Sequence, residues 1–262
     1  MDLRKAFDIK PGEVISLVGG GGKTSLMLAL ASELVASGKS VITTTTTKIR
    51  EPLPSQTQFL LIAPEDEVVT ALKQGLRRYQ HITVAAQKLP PRKLKGVSPQ
   101  VIVALSQLSG IDYIIVEADG AARRPLKAPN STEPVVPPNT SLFIAVMGID
   151  ALGLPLAEEN VHRAEIVSRL TGQPIGQTVS SSTIITLAAH PEGMFKGSPA
   201  GARNALFINK MDLPASRPQA REIAARILEA SLPQLDRVVL GQTRRPNPAV
   251  EVLRKNLTGI SG

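Results

Sequence analysis

Residues 14–25 read VISLVGGGGKTS, an apolar run followed by four glycines, a lysine and two hydroxyl side chains. The apolar run predicts a buried strand, and residues 23–37 predict a helix. Glycines between a strand and a helix let successive backbone N–H groups turn toward one anion, and the helix N-terminus adds partial positive charge. We therefore expect Gly19, Gly20, Gly21 and Gly22 to form a phosphate-binding loop, called the glycine loop below.

The residues after the glycine loop have the side chains that phosphate chemistry needs. Lys23, a candidate catalytic residue, is expected to reach the β- and γ-phosphates of a nucleotide, and the Thr24 hydroxyl to bind Mg²⁺, with Ser25 as second choice. The spacing G-x-x-x-x-G-K-[ST] fails at Leu17, whereas the shorter G-G-x-G-K-[ST] fits. The shorter form resembles the loop of SIMIBI-class P-loop NTPases, although Val18 stands where some members have a lysine. The alternative is a glycine-rich turn that binds no ligand.

Acidic residues follow a second predicted strand. Residues 114–120 read IIVEADG, so Glu117 and Asp119 stand at the carboxyl end of the strand, where ligands of open α/β sheets bind. Either carboxylate can hold Mg²⁺, directly or through water, and both are candidate catalytic residues; the pattern leaves the choice open. The N–H group of Gly120 is expected to contact the γ-phosphate, and E-x-x-G resembles a motif of metallochaperone GTPases. The competing interpretation is a solvated strand end.

A third motif concerns the base. Residues 209–212 read NKMD and match the N-K-x-D motif of GTPases. Asp212 can accept hydrogen bonds from the N1–H and N2–H groups of guanine, which adenine lacks. Asn209 can donate to the base or tie the loop together, and the stem of Lys210 can lie along the purine. The motif favours GTP over ATP; the alternative is an ordinary loop with an aspartate at a helix N-cap.

A run of five threonines, Thr43–Thr47, precedes Lys48. β-Branched residues favour a strand, and we expect the end of this strand to lie beside the phosphate site. Thr45, Thr46 and Lys48 are therefore candidates for contacts with phosphate or substrate. A polar strand end without a ligand is the alternative.

Strands and helices alternate along the rest of the chain, and the strands are almost continuously apolar. This pattern predicts a three-layer α/β/α fold of the P-loop NTPase type, with a mainly parallel sheet covered on both faces. We expect residues 1–262 to form one domain, with residues 149–202 as an insert of helices and loops. Residues 158–170 predict a helix in this insert, and residues 237–240 predict the last strand of the sheet.

Composition narrows the classes of function. The chain has 30 Lys and Arg against 22 Asp and Glu, a net charge of +8 that favours anionic partners. Aromatic residues make up only 3%, which argues against nucleic acid because single-strand binding uses aromatic stacking. The absence of cysteine excludes disulfides, thiolate metal sites and thiol nucleophiles. No apolar run has the length of a membrane span and no secretory signal is visible, so we expect a cytoplasmic protein.

Six segments in this order resemble the YqeC family: VGGGGKTS, VITTTTTKI, IIVEADGAARRPLKAP, VHRAEIVSRLTG, HPEGMFKGSP and FINKMD. The resemblance covers about residues 8–245, and EADGA-RRPLK-P and HPEG-KG-P are its most distinctive parts. Members of this family are described as accessory proteins for selenium-dependent molybdenum hydroxylases. The resemblance therefore implies such a hydroxylase, or its maturation factors, as a partner. It also suggests that Arg123, Arg124 and Lys127 contact an anionic substrate, with a solvated turn as the alternative.

Two classes of function stay open. In the first, the chain is a Mg²⁺-dependent P-loop protein that binds GTP or ATP, with or without hydrolysis, and serves maturation of a molybdenum hydroxylase. In the second, it transfers a phosphoryl or nucleotidyl group to a small anionic acceptor. Similar GTPases often dimerise across the nucleotide, so a homodimer is a further expectation.

Overall fold

The computed structural model describes residues 1–230, 232 and 234–255. Its largest sheet contains β1 (Val14–Gly19), β2 (Val41–Thr45), β4 (Phe59–Ile62), β5 (His81–Ala85), β8 (Tyr113–Glu117), β10 (Leu142–Gly148), β12 (Arg203–Asn209), β13 (Leu235–Gly241) and β14 (Ala249–Arg254). Shorter strands are β3 (Lys48–Arg50), β6 (Gln87–Leu89), β7 (Lys93–Lys95), β9 (Leu126–Lys127) and β11 (Val161–His162). The helices are α1 (Leu3–Phe7), α2 (Lys23–Ala36), α3 (Glu65–Gly75), α4 (Pro99–Ser106), α5 (Ala164–Thr171), α6 (Ser181–Ala189) and α7 (Ser216–Glu229).

The large sheet has the strand order β14-β13-β12-β10-β1-β8-β2-β5-β4. Every neighbouring pair is parallel except β13 and β14, which are antiparallel. β1 lies in the middle, with Gly19 beside Val146 of β10 and Leu17 beside Glu117 of β8. Because the carboxyl ends of parallel strands meet at one edge, the residues that follow β1, β2, β8 and β12 come close together there.

Helices cover both faces of the sheet. On one face, α1 and α2 bury Phe7 and Leu30 against alternate strand residues such as Ile144. On the other face, α5, α6 and α7 pack over Phe143, and α3 and α4 pack over Ile114. Neighbouring residues of one strand belong to opposite layers, as the alternation of strand side chains requires. The predicted three-layer α/β/α fold with a mainly parallel sheet is therefore confirmed.

Two small sheets lie beside the large one. β3, β7 and β6 form an antiparallel sheet, and β9 pairs with β11 of the insert. The end of β7 is tied to the end of β2, because the N–H of Gly96 donates to the backbone oxygen of Thr47 at 2.9 Å and that of Val97 to Thr45 at 3.0 Å. The antiparallel sheet thus adjoins the carboxyl edge of β2.

Two predicted elements differ from the structure. The helix predicted at residues 158–170 begins only at Ala164, because Arg163 has a φ of 62°, which a continuous right-handed helix excludes. The Glu158 carboxylate instead accepts hydrogen bonds from the N–H groups of Arg163 and Ala164, at 3.1 and 3.0 Å, and so caps α5. The strand predicted at residues 237–240 is not the last one, since the edge strand β14 follows it.

The insert at residues 149–202 supplies α5 and α6 to the layer that contains α7. The single domain over residues 1–262 stays a prediction, and residues 256–262 lie outside the described part of the chain. Among the described helices, none has both the length and the apolarity needed to cross a bilayer.

Candidate functional site

The glycine loop is enclosed by neighbouring main chain. The N–H groups of Gly20 and Gly21 donate to the backbone oxygens of Val146 and Arg124, each at 2.8 Å. Gly21 has a φ of 69°, and a Cβ atom there would lie 2.0 Å from the backbone nitrogen of Gly148. A side chain at this position would therefore require β10 to move. Close packing demands a glycine here whether or not the loop binds phosphate.

Lys23, the first residue of α2, folds back over the glycine loop. Its ammonium group donates to the backbone oxygen of Gly19 at 2.6 Å, and lies 3.0 Å from Oδ1 of Asp119 and 3.6 Å from Oε1 of Glu117. Only 4% of Lys23 is exposed. Burial alone would lower the pKa of Lys23, but the two carboxylates outweigh burial and hold the pKa above its ordinary value. Lys23 is therefore a buried cation.

The acidic pair, Glu117 and Asp119, contacts the residues around the glycine loop. Thr24 donates its hydroxyl to Oε2 of Glu117 at 2.7 Å, and the N–H of Gly19 donates to Oδ2 of Asp119 at 2.9 Å. Burial raises the pKa of Glu117, although Lys23 and Thr24 act in the opposite direction. Oδ1 of Asp119 is buried and makes no hydrogen bond within the described residues. Two carboxylates and one hydroxyl thus converge beside a lysine.

These oxygen donors fit the coordination chemistry of Mg²⁺, which keeps several waters and completes its shell with substrate phosphates. Thr24, Glu117 and Asp119 are the candidate ligands, and Oδ1 of Asp119 is buried with the Lys23 ammonium as its charged neighbour. Ser25 follows Thr24 in the first turn of α2, which no side chain caps. Across the described residues, no group of three or more His, Asp or Glu could hold a metal by itself. A Mg²⁺ ion here would therefore need further ligands, such as water or phosphate oxygens.

Lys127, a predicted substrate contact, is buried instead of lying in a solvated turn, and together with Glu133 and Arg163 it joins the acidic pair to the insert. Nζ of Lys127, whose side chain is 1% exposed, lies 2.9 Å from Oδ2 of Asp119 and 3.0 Å from Oε2 of Glu133. The guanidinium of Arg163 lies 2.5 Å from the same oxygen of Glu133, and the N–H of Gly120 donates to Oε1 of Glu133 at 3.3 Å. Burial would raise the pKa of Glu133, but Arg163 and Lys127 outweigh it and lower the pKa. Alternating charges therefore connect Asp119 to α5.

Asn209, at the end of β12, contacts the glycine loop. Its side-chain amide donates to the backbone oxygen of Gly21 at 2.9 Å and to the hydroxyl of Thr243 at 3.3 Å. Of the two roles predicted for Asn209, the structure contains the contact that ties the loop. Contact with a base stays a prediction.

The other two residues of the N-K-x-D motif lie nearer the surface. Lys210 forms an ion pair with Asp150 of the insert. Asp212 is partly exposed, and its Oδ2 lies 3.6 Å from Nε of Arg245. Both side chains therefore have a charged partner, the one of Asp212 being the more distant.

The candidate substrate residues of the threonine run lie in two environments. Thr45 is fully buried and donates its hydroxyl to the backbone oxygen of Glu117 at 2.6 Å. A direct substrate contact by Thr45 would require that bond to break. Thr46 and Lys48 line a cavity of about 540 Å³ that Gly120 also borders. The cavity therefore adjoins the loop that follows Glu117.

The two candidate arginines lie elsewhere. Arg123 is exposed and has a φ of 61°. Nε of Arg124 donates to the backbone oxygen of Glu158 at 2.9 Å. Neither is among the described residues that line the 540 Å³ cavity. Their contact with an anionic substrate stays a prediction.

Comparisons with known proteins bear on the same region. The sequence model of the family described as YqeC protein matches residues 15–165, more than half of the chain, which includes the glycine loop and the acidic pair. The N-K-x-D motif lies beyond this match. A relative from Escherichia coli (strain K12), named "Uncharacterized protein YqeC", is 39% identical over 197 residues, 75% of each chain. On both grounds, this chain belongs to the YqeC family.

Proposed function

We propose that this protein is a Mg²⁺-dependent P-loop nucleotide-binding protein that prefers GTP and acts as an accessory factor in the maturation of selenium-dependent molybdenum hydroxylases. The single observation that carries the nucleotide part is the convergence of Lys23, Thr24, Glu117 and Asp119 at the glycine loop. A buried lysine beside a hydroxyl and two carboxylates is the set of groups that phosphate and Mg²⁺ require together. The maturation role rests on the resemblance of the motifs to the YqeC family.

Each residue of this set has a defined task in the proposal. Lys23 exchanges its contacts with the acidic pair for contacts with the β- and γ-phosphates. Thr24, with Glu117 or Asp119, holds Mg²⁺, which offsets negative charge on the phosphates. Burial of Lys23 and Glu117 keeps water away and strengthens every charge interaction there. The same residues serve binding alone or hydrolysis.

Asp212 supports GTP as the preferred nucleotide. Its partly exposed carboxylate can accept two hydrogen bonds from guanine, whereas adenine offers none at those positions. Asn209 places the motif next to the glycine loop through its bond to Gly21. A substitution of Asp212 can therefore test which base the protein prefers.

The alternating charges beyond Asp119 give the proposal a route to a partner. Asp119 contacts both Lys23 and Lys127, so a phosphate that draws Lys23 away leaves Lys127 as its remaining cation. Lys127 also contacts Glu133, which pairs with Arg163 of the insert. Nucleotide state would thus change residues 123–140 and the insert, the surface that a molybdenum hydroxylase or another maturation factor would meet.

A nucleotide titration tests this proposal directly. Isothermal titration with GTP and ATP, with and without Mg²⁺, should give tighter binding of GTP that depends on the metal. Lys23→Ala should abolish binding, but it leaves two buried carboxylates without their cation and can destabilise the fold. Thr24→Val, which keeps the side-chain shape, is therefore the second variant, and Lys39→Ala, a surface change, is the control. Binding by Thr24→Val and Lys23→Ala equal to that of the control would contradict the proposal, as would no binding by the wild type.

A second function, phosphoryl or nucleotidyl transfer to a small anionic acceptor, is favoured by the 540 Å³ cavity beside Gly120. Its signature is nucleotide consumption over many turnovers that depends on an added acceptor and yields a modified acceptor. Slow hydrolysis that is independent of any acceptor would favour the first function.

A further inference from the structure

The 540 Å³ cavity has one strongly cationic wall. β3 and β7 are antiparallel, with Lys48 directly opposite Lys95 and Arg50 directly opposite Lys93. Residues in these positions share one face of a sheet, while Ile49 and its partner on β7 are buried on the other face. Lys48 and Lys95 line the cavity, and all four cations are exposed. Lys48 and Lys95 on the cavity wall, with Arg50 and Lys93 next to them, therefore form one cationic face.

This arrangement is unfavourable within the chain itself. Like charges directly opposite one another destabilise a strand pair. None of Lys48, Arg50, Lys93 and Lys95 forms an ion pair with any described residue. An anion that binds between Lys48 and Lys95 would remove the repulsion. The four cations thus destabilise this strand pair, and a bound anion can offset that destabilisation.

Contacts with neighbouring elements hold the walls of the cavity in place. Gly96, at the end of β7, lies so close to β2 that a Cβ atom would meet the backbone oxygen of Thr45 at 1.7 Å. Ser98 donates its N–H and its hydroxyl to the carboxylate of Glu65, at 2.9 and 2.5 Å. Glu133, on the wall near Gly120, is held by its own cations. Preformed walls of this kind are typical of small-molecule sites.

Size and charge together define the occupant. A volume of about 540 Å³ is in the range of cavities that hold one small organic molecule. Lysines on one wall favour a phosphate or other anionic group, and the carboxylates of Glu65 and Glu133 favour hydrogen-bond donors on the rest of the ligand. We propose that this cavity binds a small phosphate-bearing molecule as a second ligand, with Lys48 and Lys95 holding the phosphate. The proposal that this cavity binds an anion does not depend on the proposed nucleotide site. Only the role of the ligand beside Gly120 rests on that site.

Inorganic phosphate, followed by amide chemical shifts in the full chain, is a suitable probe because the two sites report through different residues. Phosphate in the cavity shifts the amides of residues 46–48 and 95–98, and phosphate at the glycine loop shifts those of residues 19–24. The double variant Lys48→Gln with Lys95→Gln should weaken the first response by about tenfold or more and leave the second unchanged. The control, Lys73→Gln with Arg217→Gln, removes the same charge from exposed positions outside the cavity.

The outcomes are distinguishable. Cavity amides that do not respond, or that respond equally in the two double variants, would overturn the second site, whatever the glycine loop does. Cavity amides that respond while the glycine loop stays silent would support the second site and count against the nucleotide proposal. A short single-stranded oligonucleotide is added as a further probe. If it binds with a steep dependence on salt, is lost in the lysine variant and is not displaced by phosphate, the cationic face serves nucleic acid and the small-ligand proposal is wrong.

Discussion

The side-chain amide of Asn209 donates to the backbone oxygen of Gly21 at 2.9 Å, across 188 positions of sequence. The same amide leaves no space beside Gly22, where a Cβ atom would lie 2.4 Å from Nδ2. Its oxygen accepts from the N–H groups of Lys210 and Thr243, at 2.9 and 3.2 Å. The polar atoms of Asn209 are therefore used within the chain, and these contacts fit the role of tying the glycine loop in place.

Asn209→Ala should weaken GTP and ATP to a similar degree. The substitution removes a hydrogen bond that positions the glycine loop and leaves Asp212 in place. The expected net loss of binding free energy is about 1–1.5 kcal/mol, or about tenfold in affinity. Parallel titrations with the two nucleotides measure the effect, with Asn160→Ala as the control at an exposed loop. A loss of affinity for GTP alone would mean that Asn209 contacts the guanine base.

Asp212→Ala should have the complementary effect. The carboxylate is the group expected to accept two hydrogen bonds from guanine, so GTP affinity should fall by about tenfold or more while ATP affinity stays the same. Competition binding of the two nucleotides gives the ratio directly. Glu222→Ala, which removes an exposed carboxylate from α7, is the matched control. An unchanged GTP to ATP ratio in Asp212→Ala would exclude the N-K-x-D assignment without affecting the phosphate loop.

Gly21→Ala should destabilise the fold more than Gly38→Ala does. Both glycines have positive φ, 69° and 79°, so both substitutions incur the strain of a left-handed residue, about 1–2 kcal/mol. Only at Gly21 does the new Cβ collide with main chain, 2.0 Å from the nitrogen of Gly148, whereas nothing lies within 4 Å at Gly38. Denaturant unfolding should show an additional loss of about 1–3 kcal/mol at Gly21. Equal losses of stability in the two variants would mean that the glycine loop can shift at little cost to make room for the Cβ atom.

The layers of the fold can be predicted from sequence because the signals are local. Strands such as Leu142–Gly148 are apolar throughout, and helices follow them at regular intervals. The start of α5 is different, since an acidic residue before an apolar pattern is typical of a first helical turn. Glu158 instead stands outside the helix and caps it, which depends on the left-handed conformation of Arg163.

The candidate site is likewise only partly visible in the sequence. Residues of the glycine loop and the acidic pair stand in short motifs, each with its own chemistry. Lys127 and Glu133 lie six residues apart in one segment, and Arg163 reaches them from the insert 30 residues beyond Glu133. The resemblance to the YqeC family points to Lys127 as a contact for an anionic substrate, and a lysine inside the otherwise apolar PLKAP stretch needs a buried partner. The structure supplies that partner in Asp119, at the start of the same segment.

Acidification should destabilise the protein through His81. Burial lowers the pKa of His81 to about 4 from 6.5, and its Nε2 lies 3.0 Å from the hydroxyl of Thr43. Between pH 6.5 and 4 the unfolded chain binds a proton that the folded chain does not, so the free energy of unfolding falls as pH falls. The contribution is at most about 3 kcal/mol. Urea unfolding across this range should show a shallower pH dependence in His81→Gln than in wild type or in His190→Gln; parallel curves would refute the assignment.

Glu133 and Arg163 should be energetically coupled well beyond an ordinary surface pair. Their side chains are 17% and 18% exposed, and Oε2 of Glu133 lies 2.5 Å from Nη2 of Arg163. Removal of Glu133 leaves the mostly buried Arg163 without its carboxylate, and removal of Arg163 leaves Glu133 with Lys127 alone. A double-mutant cycle with Glu133→Gln and Arg163→Gln should therefore give a coupling energy above about 1.5 kcal/mol. Arg221 and Glu251, 2.7 Å apart with side chains 59% and 30% exposed, provide the control cycle, for which about 1 kcal/mol or less is expected. Equal coupling in the two cycles would mean that charge does not hold the insert to the acidic pair. The route proposed from nucleotide to partner would then lose its last contact, the one that reaches the insert.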